Sequence, residues 1–195
     1  MTTIGLIVSL ILILAGKRPK KFGYAYYFCI GAFWGGLELG PVFLVSEPES
    51  DKTKAHEYGH GWQNIMLGPL MPFIVCIPSA IRYWLREMKT QTKKKVFSLI
   101  LALIGIILGA IFFVISLVSP IRFFMWMGIF ITVYFSIILY WLLKVEIPKY
   151  ETEIPSYDSI WFEGDATKRG ARKINEYCLL SASEDKKDID RENKK

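Results

Sequence analysis

Both histidines of the chain lie in Lys54-Ala55-His56-Glu57-Tyr58-Gly59-His60-Gly61-Trp62-Gln63-Asn64, where they form a His-Glu-x-x-His pattern. Residues four apart on a helix share one face, so His56 and His60 can offer two imidazole nitrogens to one metal ion. Zinc is the expected ion, because a catalytic zinc site takes three protein ligands and leaves the fourth position to water. Glu57 is then placed to act as general base on that water. The pattern predicts a zinc-dependent hydrolase.

The residues around the pattern predict a helix over about residues 52 to 67. Ser50 or Asp51 can cap its start, and Gly68-Pro69 is expected to end it. Gly59 has no side chain and is expected to leave room above the metal for a substrate backbone. A pair of surface histidines without a metal is the competing interpretation, but the sequence contains no other histidine.

Two uncharged apolar stretches indicate a membrane protein. They cover residues 96–118 and 123–143, and each reaches the roughly 20 apolar residues that a spanning helix needs. Of the 195 residues, 52% are hydrophobic and 15% aromatic, and a soluble chain of this length is too small to bury two such helices. We therefore predict a transmembrane helical hairpin over residues 96–143.

Basic residues cluster beside the apolar stretches and explain the net charge of +6. The clusters are Lys17, Arg18, Lys20 and Lys21; Arg82, Arg86, Lys89, Lys93, Lys94 and Lys95; and Lys144 and Lys149. The positive-inside rule places all three at the cytoplasmic face, where anionic lipid headgroups are the expected partners. No nucleic-acid partner is predicted, because the basic residues do not form a groove-lining patch with interleaved aromatic residues.

The first 46 residues are expected to hold an anchor and a sheet. Residues 1–16 are uncharged, and basic residues follow this apolar run, which favours an uncleaved N-terminal membrane anchor over a signal peptide. Residues 22–46 are rich in aromatic residues and glycines, which favours a small antiparallel β-sheet over a helix. The alternative is a membrane hairpin in which Glu38 is a rare intramembrane carboxylate.

A sheet edge in front of the motif helix is expected to bind substrate as an added strand. Its residues are Gly35, Gly36, Leu37, Glu38, Leu39 and Gly40. Residues 70–85 are interrupted by Pro72 and Pro78 and are predicted to form a kinked, interfacial or re-entrant helix. A full span there would place the basic residues that follow on the wrong side of the membrane.

The third zinc ligand must be a carboxylate, because no histidine remains. The candidates after the hairpin are Glu146, Glu151, Glu153, Asp158, Glu163, Asp165 and Glu176. Glu163 is favoured because it lies on a helix expected to begin at Ser156 or Asp158 and to end at Gly170, among apolar neighbours that indicate a partly buried face. Spacing alone leaves the other candidates open.

The sequence resembles the gluzincins, zinc proteases in which a Glu on a later helix completes the His-Glu-x-x-His site. Among membrane gluzincins, the CAAX prenyl endopeptidase and HtpX-like peptidases often carry that residue in Glu-x-x-Ala-Asp. Glu163-Gly164-Asp165-Ala166-Thr167 matches the Glu and the Ala and departs at the last position. The resemblance implies that Glu163 is the third ligand. The departure leaves the role of the missing Asp in holding a ligand either unfilled or transferred to Asp165 or Thr167.

A second resemblance, to a family of small uncharacterised bacterial membrane proteins, covers most of residues 22–170 and supplies no substrate. The matching segments are Trp34-Gly35-Gly36-Leu37-Glu38-Leu39-Gly40, His56-Glu57-Tyr58-Gly59-His60, Gly68-Pro69-Leu70-Met71-Pro72-Phe73-Ile74 and Trp161-Phe162-Glu163-Gly164.

These features predict a mainly α membrane protein. An N-terminal anchor helix over residues 1–16 is followed by a segment, 17–95, that holds the antiparallel sheet and a zincin-like active-site helix. The transmembrane hairpin covers 96–143, a cytoplasmic segment with the third ligand covers 144–180, and a disordered charged tail covers 181–195. The predicted function is that of an integral-membrane endopeptidase with one zinc ion and its site at the cytoplasmic face. Its substrates would be membrane-bound or membrane-proximal polypeptides. Tyr157 and Arg169 are candidates to stabilise the oxyanion.

Two other functions compete with this one. A non-catalytic, zinc-stabilised membrane scaffold or regulator would need no general base, so the presence of Glu57 argues against it. A transporter or channel would need polar residues within the spans, where the sequence offers only a few hydroxyl groups.

Overall fold

The computed structural model describes residues 2–119, 121–151 and 153–192, with side chains up to residue 179. The chain divides into two compact units. The first unit is formed by Met1–Cys76 and Tyr157–Lys195, and the second unit by Ile77–Ser156.

The first unit contains a small sheet and three helices, joined by short 3₁₀ and π-helical turns. Its elements are α1 (Thr2–Leu14), β1 (Lys20–Phe22), β2 (Ala25–Ala32), β3 (Gly36–Glu38), β4 (Val42–Glu47), α2 (Asp51–Leu67), a 3₁₀ turn (Gly68–Leu70), a π-helical turn (Pro72–Cys76), a second 3₁₀ turn (Tyr157–Ser159) and α7 (Trp161–Glu192).

The described strands form one sheet in the order β1-β2-β4-β3. Outer pairs β1/β2 and β3/β4 are antiparallel, but β2 and β4 pair in parallel, so the predicted antiparallel sheet is wrong and the sheet is mixed. The apolar strand β4 takes a central position because both of its faces are covered, as its buried residues Val42, Phe43 and Val45 show. Three-residue β3 is left at the edge.

Helix α2 covers one face of this sheet. Tyr27 and Phe43 stack at 5.5 Å between ring centroids, and with Ala25 and Val45 they form an apolar core against Tyr58 of α2. The helix begins at Asp51 after an extended Ser50 and ends before Gly68, whose φ is +54°. The motif helix predicted over residues 52–67 is therefore confirmed.

Helix α7 is longer than the short helix expected from the sequence. Gly170 lies inside it and does not end it, because α7 continues from Trp161 to Glu192. The backbone of residues 181–192 follows this helix, where the sequence predicts a disordered tail; residues 193–195 of that predicted tail lie outside the described residues.

The second unit is built around two long helices. Its elements are α3 (Ile77–Glu87), α4 (Gln91–Val118), α5 (Arg122–Trp141), a π-helical turn (Leu142–Glu146) and α6 (Ile147–Lys149). Helices α4 and α5 pack closely at glycines: a Cβ on Gly105 would lie 2.1 Å from the Phe135 ring, and one on Gly109 2.1 Å from Thr132 Oγ1. Arg82 and Glu146 form a buried ion pair, with 2.6 Å between Nε and Oε1.

Among the described residues, two helical segments are long and apolar enough to cross a membrane, Gln91–Val118 and Arg122–Lys149. They coincide with the predicted hairpin, although Pro120 of its turn lies outside the described residues. A third crossing is counted only if the bent pair Asp51–Leu70 and Pro72–Glu87 is taken as one broken span. That bend falls in the stretch predicted to be kinked or re-entrant, whereas the 13-residue α1 is too short to cross unaided.

Candidate metal centre

The centre lies where α2 and α7 cross at very short range. A Cβ on Gly59 of α2 would lie 1.9 Å from the carbonyl oxygen of Ala166, and a Cβ on Gly170 of α7 would lie 1.7 Å from that of Ala55. Neither position therefore accepts a side chain without moving the helices apart. The space above Gly59 is filled by α7, so the sequence-based expectation that this glycine makes room for substrate is wrong.

This crossing brings Glu163 to the two histidines. His60 Nε2 lies 3.1 Å from His56 Nε2 and 3.1 Å from Glu163 Oε2, and His56 Nε2 lies 3.2 Å from the same oxygen. Within the part of the chain that the structure describes, this trio is the group of ligand atoms that could hold a metal ion. Glu163, with 1% of its surface exposed, is the carboxylate that completes it, as the sequence resemblance implies.

The His60 ring is held by a chain of polar contacts through Gln63. Its Nδ1 lies 2.8 Å from Gln63 Oε1. The Gln63 amide nitrogen donates to the Phe162 carbonyl at 2.7 Å and to Asp165 Oδ2 at 2.9 Å, and Arg169 in turn grips Asp165 with two hydrogen bonds of 2.9 Å. Since Gln63 presents its oxygen to the ring, Nδ1 of His60 must carry the proton.

The His56 ring is held in the same protonation state from the other side. Its Nδ1 lies 2.8 Å from Thr167 Oγ1, and the Thr167 hydroxyl donates to Asp158 Oδ1 at 3.0 Å. Because the hydroxyl proton is committed to Asp158, the oxygen of Thr167 accepts from the ring, and Nδ1 of His56 is the donor. The Nε2 lone pairs of both rings therefore converge with an oxygen of Glu163.

Three electron-rich atoms at this spacing need a cation among them. Tetrahedral zinc with ligand distances of about 2.0–2.1 Å separates its ligands by about 3.3 Å, close to the spacing of the three atoms here. Without a metal, a proton on Nε2 of His60 takes the place of that cation: burial lowers the pKa of the ring, but hydrogen bonding to Glu163 and the charge of Glu57 outweigh it and raise this pKa to about 9. The donor set of two imidazoles and one carboxylate fits a metal ion.

Glu57 occupies the side of α2 that faces the sheet edge. Its side chain is 6% exposed, and a Cβ on Gly36 of β3 would lie 2.6 Å from its Cγ and Oε1. Burial raises the pKa of Glu57 above its ordinary value; the nearby histidines and the backbone N–H of Glu38 oppose this shift. A carboxyl group with a raised pKa, next to a metal centre, accepts a proton more readily than an ordinary glutamate does.

Glu38 of the predicted substrate edge is buried beside the centre. Its side chain is 4% exposed, and Oε1 accepts from the Gly40 N–H. Burial raises its pKa to about 8, and among the described residues Oε2 has no hydrogen-bond partner. Strand β3 explains this burial, because the face of the strand that meets Glu57 at Gly36 also carries Glu38.

The other predicted residues take different places. Thr167 holds His56 directly, whereas Asp165 acts on His60 only through Gln63. Of the two oxyanion candidates, Tyr157 is close to the centre, with 5.7 Å between its ring centroid and that of His56. The guanidinium of Arg169 is instead bound to Asp165. Three rejected ligand candidates have partners elsewhere: Glu146 binds Arg82, Asp158 binds Thr167 and Glu176 binds Lys173.

The sequence analysis missed the role of Gln63 and considered Asp158 only as a metal ligand or a helix start. Gln63 follows His60 by three positions on one helix face, and this spacing is the signal that could have identified it. Asp158 reaches Thr167 only after the 3₁₀ turn folds back on α7, and no sequence spacing indicates that contact.

Comparison with models of protein families, with curated proteins and with solved structures found no match for this chain. The chemistry of the centre is therefore inferred from its own side chains. These are two oriented imidazoles, one buried carboxylate and a second carboxylate at the sheet edge.

Proposed function

We propose that this protein is a membrane zinc-dependent endopeptidase of the gluzincin type. One observation carries the proposal: separate hydrogen-bond chains place the protons of His56 and His60 on Nδ1, so that both Nε2 lone pairs converge with Glu163. This N₂O donor set is the one used by hydrolytic zinc proteases with three protein ligands. A purely structural zinc would favour four ligands and would need no Glu57.

The proposed reaction is hydrolysis of a peptide bond with Glu57 as general base. Zinc bound by the trio would supply a Lewis acid that polarises a carbonyl and makes water a stronger nucleophile. Glu57 would take the proton from the attacking water and return it to the leaving amine. Gln63 and Thr167 keep the two imidazoles in the metal-binding tautomer.

The substrate would pair with the outer side of β3. The carbonyl of Gly35 accepts a hydrogen bond from the N–H of Ser46, and the N–H of Leu39 donates to the carbonyl of Val42. In this antiparallel pair the backbone polar groups of residues 35 and 39 therefore point toward β4, and those of Gly36 point away from it. An added strand can bond to Gly36, whose backbone lies against Glu57. Within the predicted edge from Gly35 to Gly40, Leu39 and Gly40 lie against α1, so the substrate is proposed to pair at Gly36. Tyr157 is the nearer candidate to stabilise the oxyanion.

The proposed location is a cell membrane, with the centre at the cytoplasmic face. Two segments of the chain can cross a bilayer, and the three basic clusters flank its apolar segments. Such clusters stay on the cytoplasmic side and attract anionic lipid headgroups. Membrane-bound or membrane-proximal polypeptides are the proposed substrates, because an anchored enzyme gains effective concentration only toward targets held at the same surface.

Three variants test the proposal. Glu57→Gln should keep stoichiometric zinc and lose cleavage of a fluorogenic peptide library, whereas Glu163→Gln should lose the metal. Glu176→Gln is the matched control, because it changes an exposed carboxylate of the same helix that binds only surface cations. Cleavage that persists in Glu57→Gln would refute the general-base role, and unchanged biological activity in that variant would favour the non-catalytic scaffold.

A further inference from the structure

Helix α1 is part of the first unit and does not stand apart from it as a separate anchor. It packs against β4. At its closest point Gly5 meets the chain just after β3, where a Cβ on Gly5 would lie 1.9 Å from the carbonyl oxygen of Leu39. The start of α1 also lies close to the next residue, since a Cβ on Gly40 would lie 2.8 Å from Thr2 Cα. The helix and the sheet edge are therefore one packed structure.

The side of α1 that faces away from the sheet is apolar and exposed. The packed stripe is Gly5, Val8, Ser9 and Leu12, at helical spacing. The outer side carries seven large apolar residues that are between 50% and 78% exposed: Ile4, Leu6, Ile7, Leu10, Ile11, Ile13 and Leu14. The hydroxyl of Ser9 bonds to the Gly5 carbonyl inside the helix, so it offers no polar group outward. A surface of this kind requires an apolar partner.

Lipid is the partner that the rest of the chain indicates. The same polypeptide carries two segments able to cross a bilayer, so α1 is always near a membrane. Residues 1–16 contain no charged side chain, and then Lys17, Arg18, Lys20 and Lys21 follow, as at the end of a helix that meets lipid headgroups. Thirteen residues span only about 20 Å, less than the hydrocarbon core of about 30 Å. A helix too short to cross can still cover its exposed apolar side by lying among the outer acyl chains of one leaflet.

Strand β3 must then lie at the same level. Gly36 precedes Leu39 by three residues, a distance of about 10 Å along a strand. Two exposed aromatic residues, Phe33 and Trp34, stand just before β3, and tryptophan is enriched at the headgroup level. Leu37, on β3 itself, is 46% exposed.

We propose that α1 seats the edge strand β3 at the boundary between headgroups and acyl chains, so that the metal centre receives extended polypeptide segments lying at that boundary. The substrate part of this inference rests on the proposed peptidase function; the position of β3 does not. The substrate class is a membrane protein or peptide in the stretch where its chain leaves the bilayer. Water is present at this depth, as hydrolysis requires.

Depth-dependent fluorescence quenching tests the position of β3. A cysteine-free protein, with Cys29, Cys76 and Cys178 changed to Ala, would receive one NBD-labelled cysteine at Ile7, Leu37 or Lys52 and be reconstituted in phosphatidylcholine vesicles. Lipids brominated near the top of the acyl chain should quench the labels at Ile7 and Leu37 strongly, and lipids brominated near the chain end should quench them less. The label at Lys52, an exposed charged position at the start of α2, is the matched control and should not respond.

Two results would overturn the inference. A Leu37 label that behaves like the Lys52 label would place β3 in water. An unquenched Ile7 label, together with Ile7→Cys crosslinking between two molecules, would show that a second copy of the chain covers α1. Zinc content equal to that of the unlabelled protein confirms that each labelled protein is folded.

A pair of peptides tests the substrate class separately. The two share one reporter sequence, which in one peptide directly follows a single apolar span and in the other stands alone. Vesicle-bound protein should cut the span-bearing peptide close to the end of its span and cut the other at least about tenfold more slowly. Equal cleavage of both would refute the substrate class, whereas a failure to cut either, with Leu37 still quenched, would count against the peptidase function and leave the position of β3 standing.

Discussion

The change Gly59→Ala should break the metal centre by separating α2 from α7. The new Cβ would start 1.9 Å from the Ala166 carbonyl oxygen and must reach about 3.4 Å, the start of ordinary contact, so the helices must part by about 1.5 Å. Metal sites tolerate errors in ligand distance of only about 0.2 Å. Glu163 lies three residues before Ala166, on the same helix. It would therefore be drawn out of reach of a metal bound to His60.

The expected result is zinc binding that is weaker by about 100-fold or more, together with an overpacking cost of about 1–3 kcal/mol in unfolding free energy. Zinc affinity would be measured on detergent-purified protein by competition with a chromogenic chelator, and zinc content by elemental analysis. Helical circular dichroism and elution as a single species would show that the variant is folded.

Gly61→Ala supplies the matched control, because it makes the same change on the other side of His60. A Cβ there would meet the Gly40 carbonyl oxygen at 3.4 Å, an ordinary contact, and alanine should stabilise the helix by up to about 1 kcal/mol. Gly170→Ala, which meets Ala55 across the same crossing, should reproduce the loss. If Gly59→Ala binds zinc as tightly as Gly61→Ala does, the idea that close helix packing positions Glu163 is refuted.

Three further outcomes are expected. Thr167→Val removes the acceptor that holds the His56 ring and should weaken zinc binding about 10- to 100-fold, while Thr167→Ser, which keeps the hydroxyl, should bind normally. Chelation of the metal should lower the unfolding free energy by about 4 kcal/mol relative to protein with zinc at 1,000 times its Kd; an unchanged melting temperature would contradict the site. The pKa of Glu38 is raised from 4.5 to about 8, so between these pH values the folded protein keeps a proton that the unfolded chain loses. The unfolding free energy of the metal-free protein should therefore fall as pH rises from about 4.5 to 8, by up to about 5 kcal/mol. Glu38→Gln should flatten that decline in a series of urea unfolding curves, and an equally steep decline would rule out Glu38 as its source.

Features encoded by neighbouring residues could be predicted from the sequence. The helix that carries His56, Glu57 and His60 was located to within one residue at its start, because capping and stop signals lie next to it. The two apolar helices follow from uninterrupted composition. The location of the strands followed from local composition, but the order of the strands in the sheet did not. The parallel pairing of β2 with β4 depends on which strand has two apolar faces to bury.

Residue function depended on contacts between distant segments. Glycine at position 59 looks the same in the sequence whether it makes room for substrate or for a helix, and only the 1.9 Å approach of Ala166 decides between them. Gly170 carries an ordinary signal for the end of a helix, yet it lies within α7 because α2 packs against it there. In both cases tertiary packing overrides the local preference.

The sequence by itself determined which side chains could bind a metal. They are two histidines one helical turn apart, with a carboxylate between them, and the pitch of a single helix sets this arrangement. The residues around Glu163 favoured it as the third ligand among several carboxylates, and the resemblance implied it. Only the tertiary structure decided that Glu163 meets the pair, that Gln63 and Thr167 fix the protons on Nδ1, and that α1 lies against the edge strand. The physical reason is that these contacts join residues up to 111 positions apart, whose meeting depends on how closely two helices and a sheet can pack.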